Sequence, residues 1–335
     1  MGAGSSKGAA LRRLIIGCVA AAAATSAVCG QAAAAGPGPI RAAEFKRLTD
    51  QFLRTAPTAG TARAQRRGGG VGIGPTGGKG TDTALLPDQL AVALYGAPQL
   101  TSTAVGKRSP SGAARKLRRQ ARVYSRTSAL PVALSINLIG VVATASAGGD
   151  RKYRARQDPD VIRTYLKAAR SVGARLTLDI QPGRSPLIRE LRALRKWIEL
   201  PDVDIGVDPE WNVGPKGVPG RDEGSIGFRD LNRASKWIEG VVEQGDLPSK
   251  AMIVHQFRAE SIKGRKRIRQ RQGTDVLLNF DGIGSRAAKK SGYSNLATNR
   301  ALFNGFSLFY DRDRRLMTPR AVLGLKPTVS YAMYQ

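Results

Sequence analysis

Acidic residues are scarce in this chain, 25 Asp+Glu against 54 Lys+Arg, yet several stand directly after short apolar runs, where buried strands would end. Leu178-Asp179-Ile180-Gln181, Val207-Asp208-Pro209-Glu210-Trp211, His255-Gln256-Phe257, Asn279-Phe280-Asp281 and Phe309-Tyr310-Asp311 share this form, and Tyr95 closes an earlier run. One acid after a strand is a common turn former or helix N-cap. Five successive ends carrying Asp, Glu, His/Gln, Asp and Asp mean more if those ends converge. Carboxylates held together resist ionisation, so one keeps its proton at neutral pH and can act as a general acid while another stays anionic. A proton donor opposite an anionic stabiliser or nucleophile is what cleavage of a glycosidic bond needs.

Glu210, Asp208 and Asp281 are therefore the candidate catalytic residues, and Asp179, Gln181, Trp211, His255, Gln256, Tyr310, Asp311 and Tyr95 the candidate substrate-binding ones. Each has a plainer reading. Asp179 can hold neighbouring backbone, His255 can be a satisfied interior residue, and Trp211 can be a hydrophobic lid instead of a sugar-stacking platform. Tyr310 can simply fill space, and Asp311 can be a turn former.

The elements that would position these residues are legible as alternation. Eight β-rich runs, Gln89–Tyr95, Val132–Thr144, Arg175–Ile180, Val203–Val207, Ala251–Phe257, Asp275–Phe280, Gly305–Tyr310 and Val329–Tyr334, are separated by helical stretches. Several runs are apolar on both sides, as buried parallel strands are. Asp158-Pro159, Ser185-Pro186 and Thr318-Pro319 are helix starts, with a cap residue before a first-turn proline. The expected fold is an α/β (β/α)8 TIM-type barrel over residues 87–335 that lacks its last helix, with a doubly wound open sheet as the alternative. In such a barrel the chemistry sits at the carboxyl ends of the strands. The Gly-rich stretch after the second strand, Ser146–Tyr153, is placed to fold over that end.

Composition narrows the chemistry. A single histidine removes every mechanism that needs two imidazoles, and neither a metal nor a cofactor is expected. Residues 1–35 read as a signal peptide, with Lys7, Arg12 and Arg13 ahead of an apolar Leu14–Val28 run and small residues after it. That run is shorter than the roughly 20 residues of a stable span, so the mature protein is expected to be secreted or envelope-associated without a membrane span. Both cysteines, Cys18 and Cys29, fall inside the segment, leaving a core held by packing alone. Residues 36–86 read as a flexible, disordered basic and Gly-rich linker with a short helix at 39–56 that could pack where the last barrel helix is missing. The GxGxxG match at Gly72–Gly77 follows no strand and carries Pro75 in its turn, so it is not read as a nucleotide site.

Asp208-Pro209-Glu210 at the end of the fourth strand resembles the Asp-x-Glu ending of chitinase-type, family 18-like glycoside hydrolases. That resemblance implies Glu210 as acid/base and Asp208 as the residue orienting a substrate N-acetyl group. It is partial, since Gly206 and Val203 stand where the longer motif has further acids. More broadly, LDIQPG, DPEW, VHQF and GF-LFYD together resemble exported actinobacterial barrel proteins of glycoside-hydrolase type.

The net charge of +29 favours anionic partners without fixing a fold. Two acid-free runs carry much of it. Ser111–Arg126 holds Arg115, Lys116, Arg118, Arg119, Arg122 and Arg126, and Ser261–Gln272 holds Lys263, Arg265, Lys266, Arg267, Arg269 and Arg271. Both are expected to be outer helices, either solvated or docking on an anionic surface. Tyr124 is the one aromatic in either run, too few for the stacking platforms of single-strand binders, so nucleic acid is not expected as a partner. The expected partner is a polysaccharide or an anionic cell-wall polymer, met by a monomer.

Overall fold

The computed structural model describes residues 86–298 and 302–335. The expected signal peptide, the linker and its helix at 39–56 lie outside the described residues.

Eight parallel strands close into a barrel: β1 (Leu90–Gly96), β2 (Val132–Ala143), β4 (Arg175–Ile180), β5 (Val203–Val207), β7 (Lys250–Gln256), β9 (Thr274–Phe280), β10 (Phe303–Leu308) and β11 (Tyr331–Tyr334). Closure is explicit, because β1 pairs with both β2 and β11. This is a TIM-type barrel, and the open-sheet alternative is excluded by that double pairing. Three short strands lie off the barrel wall: β3 (Arg154–Arg156) runs antiparallel along β2, and β6 (Ile226–Gly227) pairs with β8 (Ile262–Lys263).

Among the described residues seven α-helices accompany the strands: α1 (Pro110–Ser125), α2 (Pro159–Arg170), α3 (Leu187–Ala193), α4 (Arg195–Ile198), α5 (Phe228–Gly245), α6 (Arg286–Leu296) and α7 (Pro319–Leu323). Their starts follow from local chemistry. The side chains of Ser109, Asp158, Ser285 and Thr318 accept hydrogen bonds from first-turn N–H groups that have no partner inside the helix. The Ser185-Pro186 start gives a helix from Leu187, which breaks at Leu194 into two short pieces.

The second basic run is a correction to the sequence reading. Between β7 and β9 the chain forms β8 and two single-turn 3-10 helices, Ala259–Ser261 and Arg265–Arg267, and no α-helix. The physical reason lies in its pattern: between Ile262 and Ile268 it has no buried apolar residue, so no helical stripe exists to pack on the barrel.

Alternation along each strand separates two interiors. Outward residues such as Val92, Leu134, Leu176, Ile205, Met252, Leu278, Phe306 and Ala332 pack with the helices in one continuous cluster that includes Trp197. Inward residues form a second, smaller cluster of Ala91, Ala93, Ala133, Ile139, Ile253, Leu277, Tyr331 and Met333. Many of the other inward positions are polar. Ser135, Asn137, Thr177, Asp179, Asp204, His255, Asp275, Asn279 and Ser307 are all buried. A barrel lumen with this many polar groups must pair them internally, and how it does so differs between its two ends.

Candidate active site

Two glycines make the mouth of the barrel possible. Asp179 on β4 sits beside Gly206 on β5, and a methyl group at Gly206 would lie 2.0 Å from Asp179 Oδ2. Asn279 on β9 sits beside Gly305 on β10, where a methyl would lie 2.4 Å from Asn279 Oδ1. The missing side chains are the space into which the polar ones lean. No side chain fits at Gly206, because Asp179 from the neighbouring strand occupies that volume.

His255, on β7, is held between two carboxylates. Its Nε2 is 2.8 Å from Asp179 Oδ2 and its Nδ1 is 2.5 Å from Asp281 Oδ2. Two acceptors require a proton on each ring nitrogen, so the ring is an imidazolium. Burial alone would lower its pKa, but Asp281 and Asp179 together raise it well above the ordinary value. His255 is thus an interior residue, 2% exposed, and it does not line the cleft.

Asp281 is the most firmly held acid of the mouth. Besides His255 it receives Asn279 Nδ2 at 2.5 Å and the Ser307 hydroxyl, both on Oδ1. Asn279 Nδ2 also donates to Ser307 Oγ at 2.8 Å. Three donors converge on one carboxylate whose side chain keeps 16% of its surface open to the cleft.

Asp208 and Glu210 stand on the other side. Asp208 is 5% exposed, and the Tyr95 hydroxyl donates to its Oδ2 at 3.4 Å. Tyr95 in turn accepts from Gln181 Nε2 at 3.3 Å, and Gln181 Oε1 takes the backbone N–H of Ala143. Burial first, and then the charge of Glu210, push the Asp208 pKa well above the carboxylate range. Burial and the nearby acids, Asp208 first, likewise raise the Tyr95 phenol, which stays protonated and donating. Glu210 is the middle residue of the one-turn 3-10 helix Pro209–Trp211 and is partly open to the cleft. Its pKa is raised to about 7, chiefly by burial and then by Asp281, against the lowering effect of His255 and Arg258.

The cleft above these groups has a volume of about 280 Å³. Tyr95, Gln181, Asp208, Glu210 and Asp281 form its polar side, while Ile139, Trp211, Phe257, Ile283 and Phe309 supply an apolar wall. Mixed lining of this kind, apolar with a few convergent polar groups, characterises small-molecule sites. Among the described residues no group of three or more His, Cys, Asp or Glu is arranged to hold a metal ion.

Neither models of known protein families nor the sequences of curated proteins match this chain. The Asp-x-Glu ending at 208–210 therefore stands on its position at the barrel mouth.

Of the residues singled out from sequence, Tyr95, Gln181, Asp208, Glu210, Trp211, Asp281 and Asp311 line the cleft, and Asp179 and His255 lie buried beneath it. Asp311 is at the exposed rim, paired with Lys107. Two do not belong. Gln256 points out of the barrel, its Nε2 donating to Leu296 O and its Oε1 accepting from Arg265. Tyr310 also points outward, donating to Gln120 Oε1 at 2.9 Å and stacking on Tyr334 under Lys116. The Ser146–Tyr153 loop does not cover the cleft either. It leads into β3, which is clamped down by Arg154 and Arg156 on Glu190. Unanticipated contributors are Asn279 and Ser307, which hold Asp281, and Leu100, Ser102 and Thr103 of the loop after β1.

Proposed function

We propose that this protein is an exported glycoside hydrolase-type enzyme that cleaves O-glycosyl bonds of a cell-wall or environmental polysaccharide at the barrel mouth. The single observation that carries the reading is the contrast between two acids in one cleft: Glu210 holds its proton to about pH 7, while Asp281 is fixed as an acceptor by His255, Asn279 and Ser307. Glu210 transfers its proton to the leaving glycosidic oxygen. Asp281 faces the positive charge that develops at the anomeric carbon, and water completes the substitution, giving its proton to the Glu210 carboxylate. Asp208, tied to Tyr95, orients the substrate, in the role that the chitinase-type resemblance implies. Trp211 and Phe257 offer aromatic faces to the sugar.

A barrel does not by itself imply chemistry, so the test must separate turnover from binding. Polysaccharides, chitin among them, are to be scanned for release of reducing ends by the wild type and by Glu210→Gln. Release by the wild type and none by the variant, with polysaccharide retention unchanged, is the expected result. Retention without release by either protein would make this a carbohydrate-binding barrel. Equal release by both would remove Glu210 from the mechanism.

A further inference from the structure

The two basic runs carry six cations each and no acid, yet have different fates. In the Ser261–Gln272 run, Arg265 donates to Gln256 Oε1 and Leu296 O, the Arg267 guanidinium lies 4.0 Å from the Phe228 ring centre, and Arg271 faces Glu239. These arginines fasten an irregular crossover to the barrel. Lys263, Lys266 and Arg269 of that run stay exposed, but on an irregular crossover, whereas α1 sets its free cations on one regular helix. Its apolar stripe, Ala113, Ala114, Leu117, Ala121 and Tyr124, is fully packed, and no acid occurs in the helix. Arg115, Arg118, Arg119 and Arg122, with Arg126 at its C-cap, are all exposed, and none has an acidic partner within 4.0 Å among the described residues.

At 3.6 residues per turn these five arginines fall within an arc of roughly 100°, so they form one stripe. Val123 lies at the edge of that stripe and Leu130 just beyond the end of the helix. These are the two exposed large hydrophobic residues among the described residues, at 44% and 42%. The stripe and its two apolar neighbours thus occur together on one side of the barrel. The other run follows β7, the fifth strand in order around the barrel from β1, and so lies diametrically opposite. A flat surface can meet one of these sides and not both.

We infer that α1 is a docking face for an anionic phospholipid bilayer. Arginine suits phosphodiester headgroups, which it meets with two parallel hydrogen bonds. Each cation held near such a surface contributes about a fivefold gain in binding. Exposed Val123 and Leu130 favour a lipid interface over a dissolved polyanion, since only the interface offers apolar contact beside the phosphates. The absence of aromatics from the stripe disfavours single-stranded nucleic acid. The cleft opens at the end of the barrel, so a protein lying on its α1 side keeps its mouth unobstructed.

The test is co-sedimentation of the full chain without residues 1–35 with vesicles of phosphatidylcholine alone or with 30% phosphatidylglycerol, at about 0.1 M salt. Wild type should pellet only with the anionic vesicles. Arg118→Gln/Arg119→Gln/Arg122→Gln should weaken that binding about 100-fold. The charge-matched control Lys263→Gln/Lys266→Gln/Arg269→Gln, on the opposite side, should weaken it less than about threefold. Val123→Asp/Leu130→Asp should weaken vesicle binding about tenfold and leave binding to soluble polyphosphate unchanged. Equal losses for the two triple variants would mean that net charge alone binds, and would overturn the assignment. So would polyphosphate binding as tight as vesicle binding with no effect of Val123→Asp/Leu130→Asp, which would make α1 a polyanion site. Circular dichroism melting of each variant shows that it is folded.

Discussion

The two ends of this barrel handle buried acids in opposite ways. At the amino-terminal floor each buried acid has a dedicated partner. Asp204 receives Arg175 through two hydrogen bonds of 2.5 and 2.7 Å and the backbone N–H of Ala251 at 2.9 Å. Asp202 receives Arg170 in the same bidentate way, and Asp275 accepts the N–H of Leu86. Lys250, nearby, gives its ammonium to two backbone carbonyls, those of Leu200 and Val203. At the mouth, Asp179, Asp208, Glu210 and Asp281 share one imidazolium. At the floor, Asp204 and Asp202 are each neutralised by an arginine of their own. The mouth holds more negative charge than it can neutralise, and the surplus appears as carboxyls that keep their protons. Perturbed acids of this kind mark functional sites, whereas paired ones act as structural ties.

The comparison predicts opposite outcomes for similar substitutions. The largest effect is expected at Glu210. Loss of its proton donor in Glu210→Gln should reduce hydrolysis by about 10²–10⁴-fold, measured as reducing-end release, and wild-type activity itself should fall as pH rises through about 7, where Glu210 ionises. Asp281→Asn should also abolish most activity. Because it removes one of the two anions holding His255, the imidazole should lose its charge at a lower pH, a change readable by NMR titration of this single histidine.

Asp204→Ala at the floor should do the reverse. It leaves the Arg175 guanidinium without its buried partner, at a cost of about 3–5 kcal/mol of stability by denaturant unfolding, while activity per folded molecule is unchanged. A catalytic loss in this variant, at equal folded fraction, would erase the distinction between the two ends.

A smaller effect separates the ends by pH. Glu210 has a folded-state pKa of about 7, above its ordinary 4.5, so its proton favours the folded state. That contribution is complete below 4.5 and is lost as pH rises through 7. Glu210→Gln cannot lose it. The variant should therefore gain stability relative to wild type between pH 5 and pH 8, by at most about 3 kcal/mol. Asp311→Asn, at the exposed rim with Lys107, should change stability by less than about 1 kcal/mol.

Much of the site was legible from strand ends alone. Tyr95, Asp179, Asp208 and Asp281 all follow inward positions of their strands, and the sequence pattern located each of them. The two misplaced residues violate the same rule. His255 and Gln256 are neighbours on one strand, so only one can face the lumen, and period-two alternation assigns the other to the outside. Tyr310 differs by an odd number from inward Ser307, and it too turns out toward α1. Applied strictly, that parity would have added Asn279 and Ser307, which share the inward face with Asp281 and Phe309. The loop residues Leu100, Ser102 and Thr103 carried no such signal, because nothing in a connection's composition says where it folds back.

What the sequence determined by itself was the alternation of eight β-rich runs with capped helices, since apolar periodicity and N-cap chemistry act over a few residues. The excess of basic residues and the placement of acids after strands were likewise plain in it. Only the closed barrel decided which acids meet. Asp179 and Asp281 come from strands 102 residues apart in the chain, yet both reach the ring of His255. Only the closed barrel, too, separated the paired floor from the unpaired mouth and one basic run from the other. Partner choice for a buried charge depends on how the strands stand around the barrel. β4 and β9 are three strands apart in the sheet, and it is the curvature of the closed barrel that brings residues from both to one ring, a relation encoded in no single stretch of the chain.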